Sequence, residues 1–583
     1  MKGFFNRLLR IDLSHKSFGC EDIPDDVLSR SLGGKGLGIH LLVKENPPGV
    51  DPFSSENRFI LTTGPVTGTR MWSQSRFGAY SKSPATGGFA ESYCGGTLAP
   101  QIKGCGIDAV ILEGKCASLS FLEVDKRGVA FHDAESVMGS DTAESEDFIL
   151  KNSAPGARAM TIGPAGENLV RLACIKSDKW RSLGRCGLGA VLGSKNVKGL
   201  SFCGSQKADI ADEALLGETI KRVAQKGKES PVTGLYRKYG TPMQVAITNA
   251  QNCFPTRYWH SGHFPQWERL SGDYMIEHFD VVNHPCPNCF LQCTKLSRVK
   301  EGRHKDLELE GPEYETIYAL GGLNEIDSLE EVAWLNVVCD RLGLDTMSAG
   351  NLAGLAVEAS RRGKIDFEID YNQPDRVAEL FRKIAYREGV GALFAEGIKR
   401  ASEELGLEGF AIHVKGLEPA GFEPRVLKGM GLSYATSARG ACHLRGTFYK
   451  AELAGIVDRD MIRGKAVYQI DYEDRAALFD CLILCRFFRD IILWDELAAI
   501  IKGTSGLSLD KSELEFLANS ITEQTRAFNF REGLTEADDC LPERMLTEKT
   551  AEGAALSRGQ LEIMIGEYNA IRKSRTANAP RQP

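Results

Sequence analysis

A chain of 583 residues and 63.9 kDa has room for three or four domains, and 42% hydrophobic with 26% charged residues describes an ordinary globular protein with ample core. The formal net charge of −7 gives no electrostatic reason to bind nucleic acid. No apolar run approaches the ~20 residues a spanning helix needs and no signal-peptide pattern opens the chain, which predicts a cytoplasmic protein without a membrane span.

Residues 1–210 read as β-rich and punctuated by glycine. The alternating run Leu8–Leu13, then Phe59–Thr63, Ala109–Glu113 and Leu119–Val124, are the strand candidates. Gly33-Gly-Lys-Gly-Leu-Gly38 resembles a phosphate loop but lacks the Gly-Lys-Ser/Thr ending, so a tight turn before an Ile39–Val43 helix competes with an anion cradle. Two further stretches pair glycine with arginine, Ser75–Gly78 with Glu91–Gly96, and Arg181–Gly193. An arginine fork beside bare backbone N–H groups suits a phosphate or a polar heterocycle.

Residues 211–420 turn helical, with Asp327-Ser-Leu-Glu330 as a helix start and Gly343 as its stop. A second helix follows, with Leu352, Leu355, Ala356 and Ala359 on one side. The same region holds Cys286-Pro-Asn-Cys289-Phe-Leu-Gln-Cys293, three thiols spaced C-x2-C-x3-C. A zinc site usually takes its cysteines as two separated pairs, whereas a triplet with one distant partner is the commoner way to hold a cubic iron–sulfur cluster. The other cysteines, such as Cys20, Cys105, Cys116, Cys174, Cys203 and Cys540, read as small buried hydrophobes. Cys94 and Cys442 read as packing too.

Residues 421–583 are helical again, and the tail from Lys573 reads as disordered. Here Asp480-Cys-Leu-Ile-Leu-Cys485 echoes Asp340-Arg-Leu-Gly-Leu-Asp345, each placing an Asp on a closing helix and a ligand-type residue five positions on. Two copies of one helix–loop element imply two similar ligands about a pseudo-twofold axis. Cys485 ends the second copy as a candidate fourth cluster ligand, with Cys481 its competitor.

Together these pieces resemble the aldehyde ferredoxin oxidoreductase family of tungstopterin enzymes. The resemblance runs through Arg76-Phe, Lys82-Ser-Pro-x-Thr-Gly, Gly187–Lys195, Gly311-Pro-Glu-Tyr-Glu-Thr316, Asp340–Asp345, Tyr434–His443 and Asp480–Cys485, in that order over essentially the whole chain. It implies an α+β protein: a β-rich domain (1–210) as base for two pterins chelating one tungsten, covered by helical domains 211–420 and 421–583. It further implies magnesium between the pterin phosphates and a [4Fe–4S] cluster on Cys286, Cys289, Cys293 and Cys485. Pterin contacts would come from Arg76, Tyr93, Gly95, Arg181, Ser182, Gly184, Arg185, Asp340, Leu344, Asp345, Arg439, Arg445, Asp480 and Leu484. Glu313 and His443 would be the catalytic residues.

The activity so implied is oxidation of an aldehyde to a carboxylic acid, with electrons leaving for ferredoxin or an iron–sulfur partner subunit, in a homodimer or hetero-oligomer. Related readings are a subunit reducing another low-potential substrate, such as an aromatic thioester, and a non-catalytic electron-transfer subunit. Three residues depart from the family pattern: Tyr93 for Asn, Ser182 for a small apolar residue, and Ile483 for the glycine of the second Asp motif.

Overall fold

The alternation of Leu8–Leu13 is realised as the strand Arg7–Asp12, inside the first of two six-stranded sheets. The structure, a computed structural model, describes residues 1–577. The first sheet runs Ser17–Asp22, Arg7–Asp12, Ala109–Glu113, Phe59–Thr62, Phe77–Lys82 and Phe89–Cys94 in spatial order. The second runs Arg181–Leu183, Ile175–Ser177, Arg158–Thr161, Val197–Cys203, Ser120–Asp125 and Gly128–Asp133. Inward side chains of both, such as Ile11, Leu61, Leu122 and Leu200, share one core. The rest is mainly helical, so the α+β order holds: sheets first, helices after.

The helix expected at Ile39–Val43 is present but longer, and the turn before it closes at Gly33. Gly33 caps a helix, at φ 82°, that already begins at Gly34 and runs to Glu45. Its glycines are there for close approach. A Cβ on Gly34 would lie 2.1 Å from the Asp480 carbonyl oxygen, and one on Gly38 2.5 Å from the Tyr80 ring. This glycine-faced helix lies between the first sheet and the helix Lys465–Leu482 and meets the latter almost backbone to backbone.

The helical region holds one surprise, a three-stranded antiparallel sheet of Phe279–Asn283, Lys295–Val299 and Glu308–Glu310. Asn283 pairs with Lys295, so residues 284–294, the cysteine triplet included, form the connection of a hairpin. Its strands are short, and although burial alternates along Lys295–Val299 the buried positions include Lys295 and Ser297, so the apolar alternation that marks a strand in sequence is missing. The tail expectation also changes. The last helix, Arg558–Ala577, carries Lys573 onward, and residues 578–583 lie outside the described part.

Candidate active site

The Asp-led echo is a spatial one. Helix Leu329–Leu342 starts at Ser328 and ends at Gly343, φ 76°, with the Leu344 N–H reaching back to the Cys339 carbonyl at 2.9 Å. Helix Lys465–Leu482 closes the same way, with Ile483 at φ 59° and the Leu484 N–H on the Phe479 carbonyl at 2.8 Å. Both are left-handed closures in which an N–H past the end satisfies an orphan carbonyl. The next residue then docks on the β-rich part: Asp345 N–H bonds the Leu172 carbonyl and Cys485 N–H the Ser73 carbonyl, each at 3.1 Å.

Ile483 thus occupies a conformation that glycine fills in the first copy. The strain of a left-handed residue is about 1–2 kcal/mol. Its side chain is 1% exposed, and truncating a buried Ile costs about 2–5 kcal/mol. Burial wins. Ile483→Gly should therefore destabilise the protein, by roughly 1–3 kcal/mol net. A thermal inactivation midpoint unchanged or raised in that variant would show strain to be the larger effect.

Cys286, Cys289, Cys293 and Cys485 line one cavity of about 180 Å³, together with Ser73, Ser75, Arg181 and Thr294. Cys481 does not; it is fully buried in the core beside the glycine-faced helix. Among the described residues no three His, Cys, Asp or Glu converge as the ligands of one ion would. Four thiols around a shared void suit a cluster better than a single zinc. Burial, then repulsion from Cys485, pushes the Cys289 thiol up to about 12, and the same two causes raise Cys293 further. Bare, Cys289 and Cys293 stay protonated, and bound cations are what would make their thiolates favourable. Arg181 helps: its Nη1 donates to Cys286 Sγ at 3.4 Å and Thr294 Oγ1 at 3.2 Å, and its Nη2 to the His284 carbonyl at 3.0 Å. A Cβ on Gly95 would stand 3.2 Å from Cys286 Sγ, so the glycine clears the wall between this cavity and the next.

That next cavity, about 270 Å³, is lined by Arg76, Tyr93, Gly95, Arg181, Ser182, Gly184, Asp340, Leu344 and Asp345, nine of the residues the motifs singled out. Lys176, which no motif flagged, donates to Asp340 Oδ1 and to Ser182 Oγ, each at 2.6 Å. The departure at Ser182 therefore has a use, as an acceptor for this buried lysine. Arg185 lies behind, donating to Asp345 at 3.0 Å and Glu418 at 3.1 Å.

Arg439, Arg445 and Asp480 do not line this void. They interlock around Glu91: Arg439 donates to its carbonyl at 2.6 Å, Arg445 pairs with its carboxylate at 2.8 Å and with Asp480, and Arg486 joins Asp480 at 3.0 Å. Burial opposes ionisation of Glu91, but Arg445, Lys35 and Arg439 outweigh it and hold the carboxyl well below the usual range. Tyr93 donates its hydroxyl to Glu91 at 2.6 Å and offers its backbone carbonyl to Arg76 at 3.1 Å, so only its backbone and ring face the cavity.

A third cavity, about 150 Å³, is walled by Tyr236, Tyr314, Phe422, Tyr449 and Phe487, with His443, Glu315 and Arg486 among its polar groups. Arg76 and Glu313 line all three cavities and mark their junction. Glu313 stands at the cap position of the turn Tyr314–Thr316, yet its side chain caps nothing and instead accepts from Thr241 Oγ1. Burial raises its carboxyl above the ordinary value. The following Ile317–Gly321 is a π-helical turn, a form frequent at functional sites.

His443 Nε2 lies 3.4 Å from Glu315 Oε1. Burial lifts Glu315 to about 8, and burial, then Arg439 and Arg185, drive His443 far below its usual value. At neutral pH this is a carboxylic acid beside a neutral imidazole, not an ion pair. Glu315 lies in the Gly311–Thr316 motif, but nothing in the sequence separated it from its neighbours. Cys442 is more than packing. Its sulfur accepts from Arg439 Nη2 at 3.0 Å and the Leu444 N–H at 3.3 Å. Burial would raise its thiol, but Arg439 and Arg445 bring it to about 7. Cys94 makes only a weak contact with the Gly95 carbonyl and is raised by burial, as a packing residue should be.

Arg76 at this junction, and Arg439 and Arg445 in the cluster around Glu91, suit charged, phosphate-bearing groups. Each keeps a buried Nε with no hydrogen-bond partner, a donor that a protein does not normally leave unmet. A larger cleft of about 610 Å³, between Lys2, Arg70, Lys103 and Lys207, has none of these groups.

Two family profiles cover almost all of the chain: aldehyde ferredoxin oxidoreductase, N-terminal domain, over residues 8–204, and domains 2 and 3 over residues 218–580. The chain belongs to the aldehyde ferredoxin oxidoreductase family. Among relatives in the family, the tungsten-containing aldehyde ferredoxin oxidoreductase of Pyrococcus furiosus is 34% identical, over 98% of this chain and 96% of its own. That of Thermococcus kodakarensis is 33% identical with the same coverage. The WOR-like subunit of an aliphatic sulfonate oxidoreductase from P. furiosus is 29% identical over 76% of this chain and 75% of its own. In fold, the family member resembles the BamBC active-site complex of benzoyl coenzyme A reductase, solved with 1,5-dienoyl-CoA: TM-score 0.84, 21% identity, covering 98% of this chain and 94% of that one. No helix among the described residues is long and apolar enough to cross a membrane.

Proposed function

We propose that this protein oxidises aldehydes to carboxylic acids with water, holding tungsten between two pterins and a [4Fe–4S] cluster on Cys286, Cys289, Cys293 and Cys485. The observation that carries the reading is the junction itself: Glu313 and Arg76 stand where a four-cysteine cavity, a polar Asp340-side cavity and an aromatic chamber meet. The tungsten-containing relatives named above support the metal. When bound, tungsten accepts two electrons and the cluster passes them on singly.

The chain's own residues supply the rest. Arg76, Arg181, Asp340 and Asp345 would hold one pterin, and Arg439, Arg445 and Asp480 the other. A hydrated aldehyde releases two protons as it loses two electrons, so a base must stand at the reacting carbon. Glu313 fills that role, fixed by Thr241 and raised by burial toward the working pH. His443 turns Nε2 to Glu315, which leaves Nδ1 for the substrate oxygen. The aromatic wall of Tyr314, Phe422 and Tyr449 keeps water low around the substrate's apolar part.

Protein purified without oxygen should carry one tungsten and about four irons per chain, the arithmetic of one mononuclear centre and one cube. It should reduce benzyl viologen with at least one member of an aldehyde series. Stoichiometric zinc with neither iron nor tungsten would overturn the reading. A second reading, reduction of a low-potential substrate such as an aromatic thioester, has the likeness in fold to benzoyl coenzyme A reductase in its support. It predicts viologen oxidation by a thioester and no response to any aldehyde.

A further inference from the structure

The cysteine hairpin is a surface feature. His284, Pro285, Pro287 and Asn288 are exposed, while Cys286 and Cys289 are only half covered. An electron leaving a group held on these thiols therefore leaves here, because tunnelling favours the shortest gap to a carrier. Packed directly on this hairpin is the pair of helices Glu213–Glu229 and Pro231–Tyr239. Phe290 lies so close to Gly227 that a Cβ there would be 2.3 Å from its ring, and Arg237 Nε donates to the Phe290 carbonyl at 2.8 Å.

The charge on this pair is unlike that of the chain. The whole protein is net acidic, 78 acids against 71 bases, yet residues 221–238 carry six Lys or Arg against a single Glu. Arg222 and Lys226 turn partly to the buried Glu496. Lys221, Lys228 and Lys238 are exposed and join no ion pair among the described residues. Leu235 stands among them, 42% exposed, as an apolar centre to a basic rim. Such a field on an acidic molecule orients an incoming negative partner and repels nothing that the reaction needs.

We infer that the exposed face of residues 221–238, beside the cysteine hairpin, is the docking surface for a small, dissociable, acidic iron–sulfur carrier protein. The inference rests on electrons leaving through the cysteine-held cluster, but its test needs no substrate. Binding of a purified acidic two-cluster ferredoxin to the holoprotein is measured by biolayer interferometry across an ionic-strength series. Affinity should fall steeply with salt, and Lys221→Glu/Lys228→Glu/Lys238→Glu should weaken it about 10-fold or more at low salt. Lys364→Glu/Arg382→Glu/Lys399→Glu, the same charge change at exposed positions away from the hairpin, should leave it within about 2-fold.

Equal weakening by the two triple variants, or binding indifferent to salt, overturns the docking face while leaving the aldehyde reading standing. So does a subunit that co-purifies in fixed stoichiometry and blocks ferredoxin. Should the triple variant fail to retain its cluster absorbance, Lys228→Glu alone and the salt series of the native protein decide, with at least a 2-fold loss and a steep slope expected.

Discussion

Glu313→Gln should lower aldehyde turnover by about 10²–10⁴ while tungsten and iron contents stay those of the native protein. The side chain ligates nothing in the proposed arrangement and accepts a single hydrogen bond, from Thr241. The amide keeps that bond and the shape of the junction but cannot take a proton. The pH dependence follows from sign. Burial raises the Glu313 carboxyl, so its active, deprotonated form is lost as pH falls through a value above that of an ordinary carboxylate. The acidic limb of kcat/KM should therefore lie higher than a solvated Glu would give, and it should vanish from the residual activity of the variant. His443→Asn offers an independent check. Burial, then Arg439 and Arg185, hold His443 toward its neutral form, so the variant should lose rate without moving that limb. Full turnover with several aldehydes in both variants would remove the catalytic assignment.

The second large effect concerns the cube. Cys485→Ser should abolish the normal low-temperature EPR signal of the reduced cluster, because a serine oxygen is a hard and poor partner for iron. Cys481→Ser should leave that signal intact, since the Cys481 sulfur faces the core rather than the four-cysteine cavity. Asp345, the counterpart of Cys485 in the first copy, accepts from Met347 N–H and Ser348 and pairs with Arg185. Asp345→Ala should reduce tungsten content and keep the iron. A native signal in Cys485→Ser, lost instead in Cys481→Ser, would break the parallel between the two copies.

Much of this site was legible because its parts obey local rules. Three thiols in eight residues, an Asp on the last turn of an amphipathic helix, and a glycine one residue past its end each have a physical reason to recur in sequence. What escaped was set by distant packing. Lys176, which carries no motif, and the Glu91 carboxylate, which its Gly-rich stretch did not single out, meet their partners only when the sheets and helices close. The 279–310 sheet was hidden because the buried positions of its central strand carry Lys295 and Ser297 beside Val299, so burial alternates there while apolar character does not. The helix after the glycine run starts earlier than its apolar residues suggest, because its glycines serve close approach: Gly34 meets the Asp480 and Cys481 carbonyls, hundreds of residues away, and Gly38 the Tyr80 ring. Ile483 shows how a pattern can break and the geometry survive, since burial of its side chain holds the left-handed closure that glycine serves in the other copy.

The hairpin that carries three of the cysteines also sets an order of events during synthesis. On the Cys485 assignment, the fourth thiol follows Cys293 by 485 − 293 = 192 residues. At about 5–20 residues per second, a ribosome needs about 10–40 s to travel that far. Throughout that interval the triplet is outside the ribosome with one corner of its cage missing. The cube cannot be closed on the growing chain until nearly all of it has emerged, so its insertion belongs to the last stage of biogenesis.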